Sequence, residues 1–312
     1  MKISARVRSD LLLVFVAAVW GSGFIAQRVA AERMSAFTFN AGRFLLASLA
    51  LGAFVLISAR FSRRAAPDDD SLRFPPARHL PGIGLAGFLL FAAAGLQQAG
   101  LETTSVGNAS FITGMYVVLV PVVLFIFGGE RIHWLSWGAV ALAAGGAALL
   151  SLTDGFKLAP GDALELAGAL LWALHVIQVG RLARRGVNAL WFAVLQFFVC
   201  GALNLLTALI LQPDGVSSLV LAIPAVIYSA LIPIGLGFTL QLVGQRHAPT
   251  VDAAVIFSTE AVFGTLAAFL LLGEGLSVRQ LFGCGLIMAG MLLSQVRPAA
   301  GRDTLAVVSQ SD

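Results

Sequence analysis

The stretch VIFSTEAVF, residues 255 to 263, sets one carboxylate, Glu260, inside a run otherwise suited to lipid. An acid there can carry a proton or neutralise a bound cation, and an ionisable group within a membrane segment is by default a functional-site hypothesis. A second such group, Arg43, lies in the apolar run AFTFNAGRFLLASLAL, residues 36–51. It is the obvious partner for Glu260, either at a site or as a structural ion pair. Trp172, His175 and Gln178 recur at three-residue steps, which keeps them on one side of a helix, and Trp20 and Gln27 form a similar pair. An aromatic wall with a few hydrogen-bonding groups suits a small-molecule cavity, and His175 could carry a proton. The plainer readings are a packing tryptophan and a structurally bonded histidine. Gln98 and Gln241 end their apolar stretches, as gates or as helix-end caps in wet surroundings. Asp162 with Glu165 reads as a helix-start capping pair, and Glu130 and Glu274 as turn-orienting residues.

The elements that must hold these groups follow from composition. Of 312 residues, 58% are hydrophobic and 12% charged, with a mean hydropathy of +0.90, far from a soluble domain of this size. Ten apolar stretches run over 11–31, 36–58, 80–101, 106–127, 134–152, 162–181, 189–211, 219–244, 251–272 and 279–296. Each is long enough to cross a hydrocarbon core of roughly 30 Å as a helix, and too long for an outer-membrane strand. The first continues past Gly21-Ser22-Gly23, which argues against a cleaved leader. Counted from Asp252, Glu260 lies eight residues into the ninth stretch. Its insertion cost of roughly 2.5–3.5 kcal/mol is offset by roughly 3–6 kcal/mol from the Val, Ile, Leu and Phe residues around it. Ala253, Gly264 and Ala267 share its face and permit close packing. Pro224, Pro233, Gly235 and Gly237 predict a kinked eighth stretch, and Gly145, Gly146, Gly283, Gly285 and Gly290 predict close helix contacts.

Charge placement gives orientation. With the N-terminus in the cytoplasm, fifteen Lys and Arg residues fall on the inner side and four (Arg28, Arg33, Lys157, Arg279) on the outer side. This places both termini inside. Scattered over short loops without interleaved aromatics, the basic residues do not form a nucleic-acid surface. Cys200, Cys284 and four dispersed histidines imply neither a disulfide framework nor a metal site, and no nucleotide-binding loop is present. No cofactor is implied. Residues 60–79 read as a mixed-charge cytoplasmic loop and 297–312 as a polar tail.

The two halves match. Asp10 and Trp20 are answered by Asp162 and Trp172, Arg43-Phe44 by Gln196-Phe197, and Pro81 and Gln98 by Pro224 and Gln241. Residues 108–130 lie without a gap on 252–274, which makes Tyr116 the counterpart of Glu260. Five spans is an odd number, so duplicated units must enter the membrane from opposite sides, the inverted-repeat device of secondary transporters. The expected architecture is all-α and polytopic, with ten transmembrane helices in two inverted five-helix repeats. Its parts are 1–156, 157–296 and a cytoplasmic tail at 297–312.

WGSGF (20–24), GRFLLASLAL (42–51), YVVLVPV to GGER (116–131) and residues 260–293 resemble the EamA-type branch of the drug/metabolite transporter superfamily. The resemblance covers about residues 10 to 296. It implies ten helices around a central cavity lined by the first, third, fourth, sixth, eighth and ninth. It also implies movement of small metabolites, commonly export of amino acids or related compounds. Members usually carry Glu-Pro where this chain has Glu260-Ala261, so the proline expected to interrupt that helix is missing. The expected protein is a secondary exporter of the bacterial cytoplasmic membrane, working by alternating access, with lipid, a small metabolite and, in the proton-coupled alternative to facilitated diffusion, protons as its partners. Trp20, Gln27, Tyr116, Trp172, His175, Gln178 and Glu260 would bind substrate, and Arg43, Gln98 and Gln241 would gate or support. The rivals are an intramembrane enzyme, for which no catalytic constellation is visible, and a receptor or scaffold, which predicts no cavity near Glu260, Trp20 and Trp172.

Overall fold

A computed structural model describes residues 4–31, 33–65, 73–104, 106–151, 160–211, 222–272, 275 and 277–296. Lys2, Lys157, Glu274, Arg297 and Arg302, part of the 60–79 loop, the 156/157 boundary and the 297–312 tail lie outside them. Every regular element among the described residues is helical. Among these residues, seven helical stretches, from Ala36–Phe61 to Thr250–Ala267, are long and apolar enough to cross a bilayer, and Trp134–Leu150 is a shorter apolar helix. Large side chains such as Leu49, Phe127, Leu270 and Phe282 point outward, the arrangement lipid favours. The chain is a multi-pass membrane protein.

The first half comprises α1 (Ala5–Ala31), α2 (Ala36–Ala65), α3 (Leu80–Gly100), α4 (Val106–Gly114), α5 (Tyr116–Gly128) and α6 (Trp134–Ser151). The second comprises α7 (Pro160–Arg184), α8 (Ala189–Leu211), α9 (Ile223–Ser229), a π-helical stretch (Ala230–Phe238), α10 (Thr239–Gly244), α11 (Thr250–Phe257), α12 (Glu260–Leu272) and α13 (Val278–Gln295). Local chemistry sets several ends. Pro160 suits the first turn of α7, where a missing N–H costs nothing. Ser277 and Gln280 form a reciprocal capping box at α13. Gly129, at φ 63°, closes α5 in the left-handed conformation while the Glu130 N–H returns to the Leu124 carbonyl.

The halves pack across one another: α6 on α13, α2 on α8, α3 on α7, and α1 on α12. Lipid gives helices no hydrophobic reason to associate, so small residues and backbone proximity hold these pairs. A Cβ on Gly146 would sit 2.6 Å from the Gly283 carbonyl oxygen, and one on Gly290 2.7 Å from that of Ala139. Gly145 and Gly285, expected in the same contact, instead face open space.

Three of the predicted stretches are not continuous helices. The fourth breaks between α4 and α5, and the ninth between α11 and α12. The eighth contains the π turn, where Pro233 offers no N–H and the Thr239 hydroxyl donates to the Gly235 carbonyl at 2.5 Å. Glu260 is therefore not inside a helix but is the first residue of α12. The break forms without proline. The Ser258 hydroxyl donates to the Val255 carbonyl at 2.6 Å and the Thr259 hydroxyl to the Ile256 carbonyl at 2.7 Å. Both compete with the helical ladder for its acceptors.

Candidate functional site

The breaks surround a cavity of about 80 Å³, lined among others by Trp20, Gln27, Arg43, Gln97, Thr113, Tyr116, Trp172, His175, Phe238, Gln241 and Glu260. Sites that bury drug-sized ligands run to roughly 300–1,000 Å³. This conformation therefore encloses little more than a small polar molecule.

Glu260 reaches the wall because α1 comes very close to it. A Cβ on Gly21 would lie 2.6 Å from the Glu260 carbonyl oxygen and 2.7 Å from the Gly264 nitrogen. The half-buried Glu260 carboxylate accepts a hydrogen bond from the Tyr116 hydroxyl at 3.3 Å. Each residue is the first of its half-helix, so the two broken helices meet through their opening side chains.

Arg43 lines the same cavity but forms no ion pair with Glu260, so the candidate pairing is not made. Its guanidinium lies over the rings of Phe39 at 4.6 Å and Phe44 at 5.2 Å, and its Nε has no partner among the described residues. Aromatic faces partly compensate a desolvated cation, and α2 holds it on the side it shares with those rings. The cavity wall therefore holds an arginine and an acid that form no ion pair with one another. It also draws on α2, which the family resemblance did not include.

The aromatic wall is built around Phe238. Trp20 approaches it at 4.9 Å, Trp172 stacks on it at 6.1 Å with planes 12° apart, and His175 meets it edge-on at 5.9 Å. Trp20 donates its indole N–H to the Pro233 carbonyl at 3.0 Å, while among the described residues the Trp172 Nε1 and the Gln27 Oε1 have no partner. The His175 Nε2 pairs with the Gln196 Oε1 at 3.2 Å while its Nδ1 has no partner among the described residues. Phe238 was invisible as a site residue, since nothing separates it in sequence from the many packing phenylalanines.

Gln178 is not in the cavity wall. Its amide donates to the Gly82 carbonyl at 3.0 Å and pins α7 to α3. Gln98 and Gln241 are not wet caps either: they are 1% and 0% exposed. Gln241 lines the cavity, and among the described residues neither of its amide atoms nor the Gln98 Oε1 has a partner. Asp162 and Glu165 do not cap α7, which starts earlier at Pro160, and both are buried. Thr104 donates to Asp162. Thr113 donates to Glu165 at 2.6 Å and accepts from Gln97 at 3.3 Å. Thr113 and Gln97 were missed as wall residues. The available signal was their spacing, since Thr113 precedes Tyr116 by one helical turn and Gln97 adjoins Gln98. No group of three His, Cys, Asp or Glu residues among those described could hold a metal ion.

Broken membrane helices around a buried polar cavity define a transporter-type membrane protein. The chain belongs to the EamA-like transporter family, whose model matches residues 7–152 and again 159–295. It is 30% identical over 295 residues to an uncharacterized transporter of Archaeoglobus fulgidus, covering 94% of this chain and 87% of that one. It is 25% identical over 307 residues to a probable terminal-alkyne amino-acid exporter of Streptantibioticus cattleyicolor, covering 97% of each. The uncharacterized inner membrane transporter YedA of Escherichia coli matches at 27% over 170 residues, 53% of this chain and 50% of its own length. A crystal structure with 20% identity shares the fold, with a TM-score of 0.73 over 93% of this chain and 98% of that one.

Proposed function

We propose that this transporter exports amino acids or related small amphipathic compounds across the bacterial cytoplasmic membrane, driven by protons through Glu260. The observation that carries the reading is that Arg43 and Glu260 line one aromatic-walled cavity without pairing. A zwitterion presents a carboxylate to the first, an ammonium to the second and an apolar body to Trp20, Trp172 and Phe238. A proton on Glu260 competes with that ammonium, which is the exchange that couples efflux to proton entry.

Ten spans in two inverted repeats, 1–156 and 157–296 with both termini cytoplasmic, would rock about this cavity. Supporting this, the helix pairing largely survives exchange of the halves: α6 packs on α13 and α2 on α8, while α3 on α7 is answered by α10 and the π stretch on α1. The size of the cavity fits an occluded state that must open toward each face in turn. The cavity near Glu260, Trp20 and Trp172 is what a scaffold would lack.

Proteoliposomes loaded singly with a panel of radiolabelled amino acids test the reading. Efflux should accelerate under an inward proton gradient, and Glu260→Gln should lose that acceleration. Full gradient dependence in the variant would remove Glu260 from coupling, and flux of every panel member indifferent to the gradient would leave facilitated diffusion.

A further inference from the structure

We propose that Glu165 is a second proton-carrying carboxyl, serving the cavity through the Thr113 hydroxyl. Glu165 is 0% exposed and lies behind the cavity wall, not in it. Its Oε2 accepts from Thr113 at 2.6 Å, and its Oε1 has no hydrogen-bond partner among the described residues. Thr113 and Gln97 are wall residues, and the Gln97 amide donates to the same hydroxyl oxygen at 3.3 Å. A hydroxyl oxygen has two lone pairs and one proton to give. One lone pair of Thr113 is taken by Gln97, its proton faces Glu165, and the second lone pair is available to the cavity.

That arrangement balances as a relay. A proton arriving from the cavity bonds to the Thr113 oxygen, the Thr113 O–H breaks toward Glu165, and a new O–H forms on the Glu165 Oε2. The reverse sequence returns it. The backbone makes room for the carboxyl: a Cβ on Gly100 would sit 2.8 Å from the Glu165 Oε1.

Among the described residues, no cation forms an ion pair with the acid. The packed helices α3 and α4 contain no charged residue. Among the described residues, the ionisable groups near it along the chain are Asp162, one turn earlier on α7 and bonded by Thr104, and Glu102, exposed in the turn after α3, while α5, which also packs on α7, carries Tyr116. A buried carboxylate with one donor and no countercharge is costly, whereas a group that takes up a proton is not.

Thr113 is the penultimate residue of α4 and Tyr116 the first of α5. Glu165 and Glu260 are thus held by hydroxyls on opposite sides of one helix break. The inference deepens the proton-driven reading of the cavity, yet its test does not depend on transport.

Infrared pH titration of the reconstituted full chain follows the C=O stretch of protonated carboxyl groups. Glu165→Gln should remove one titrating band, of the amplitude that Glu260→Gln removes, and the double variant should lose both. Thr113→Val should shift the frequency of the Glu165 band alone. An unchanged titration in Glu165→Gln overturns the proposal. Should that variant not fold, dicyclohexylcarbodiimide labelling of the wild-type protein, read by peptide mass spectrometry, decides. Labelling of Glu165 that falls as pH rises supports the relay, and no labelling at any pH overturns it. Glu165 titrating while Glu260→Gln retains gradient-driven flux would sink the Glu260 coupling and leave this inference standing.

Discussion

The two broken helices have one backbone and two chemistries. α5 and α12 are each 13 residues long and begin at positions that match at the offset of the ungapped sequence alignment, Tyr116 and Glu260. The bonds around the breaks correspond as well: Met115 N–H to Ile112 answers Thr259 N–H to Ile256, and Leu119 to Met115 answers Phe263 to Thr259. The side chains that produce this geometry differ. At the first break stands Gly114, the last residue of α4, which has open space around it. The second relies on the back-bonded hydroxyls of Ser258 and Thr259. Two matching backbone breaks thus frame the cavity, while the opening residue is a phenol in one half-helix and a carboxyl group in the other.

The sharpest way to break that comparison lies at α1. Gly21→Val drives a branched side chain into the α12 backbone beside Glu260, where its counterpart on α7 is already Ala173. It should cost about 3 kcal/mol or more, read as a fallen thermal midpoint in detergent; an unchanged midpoint would show that the close approach is not needed. Next in size is Tyr116→Phe, which removes the hydroxyl that the first copy lends to Glu260. Gradient-driven flux should fall roughly tenfold, equivalent to about 1.4 kcal/mol, and full flux would mean that the acid works without its counterpart.

The two means of breaking a helix can then be separated. Ser258→Ala with Thr259→Val should let the ladder re-form and slow hydrogen exchange of amides 258–262, a change of about 1 kcal/mol. Gly114→Ala meets no neighbour and should stabilise α4 by about 0.5–1 kcal/mol, measured by the same exchange experiment; a loss of stability there would show that the glycine serves more than flexibility. The smallest effect on transport separates two faces of α7. Gln178→Leu should leave flux within about twofold while lowering stability by about 1 kcal/mol, the worth of one intramolecular bond, whereas His175→Leu should reduce flux.

Much of the frame was legible in the chain. Hydropathy marked the apolar stretches, the ungapped match paired Tyr116 with Glu260, and glycine-proline content marked the eighth stretch as irregular. Those signals are local, because membrane insertion and backbone register depend on composition and spacing along one segment. A place in the cavity wall was legible for Trp20, Gln27, Trp172, His175 and Glu260, which are polar-tipped groups in apolar runs. It failed for Gln178, which shares its helical spacing with His175 yet turns to the Gly82 carbonyl, and for Phe238, which looks like packing.

What the sequence determined by itself was a many-helix membrane protein with an acid that lipid would not tolerate facing outward. Only the tertiary structure decided that Arg43 rests on phenylalanine rings and not on Glu260, that Glu165 hides behind Thr113, and that two hydroxyls replace a missing proline. The reason is physical. Away from water, a polar group takes whichever partner the rotation and separation of neighbouring helices bring within about 3 Å, and no periodicity along a single helix encodes that distance.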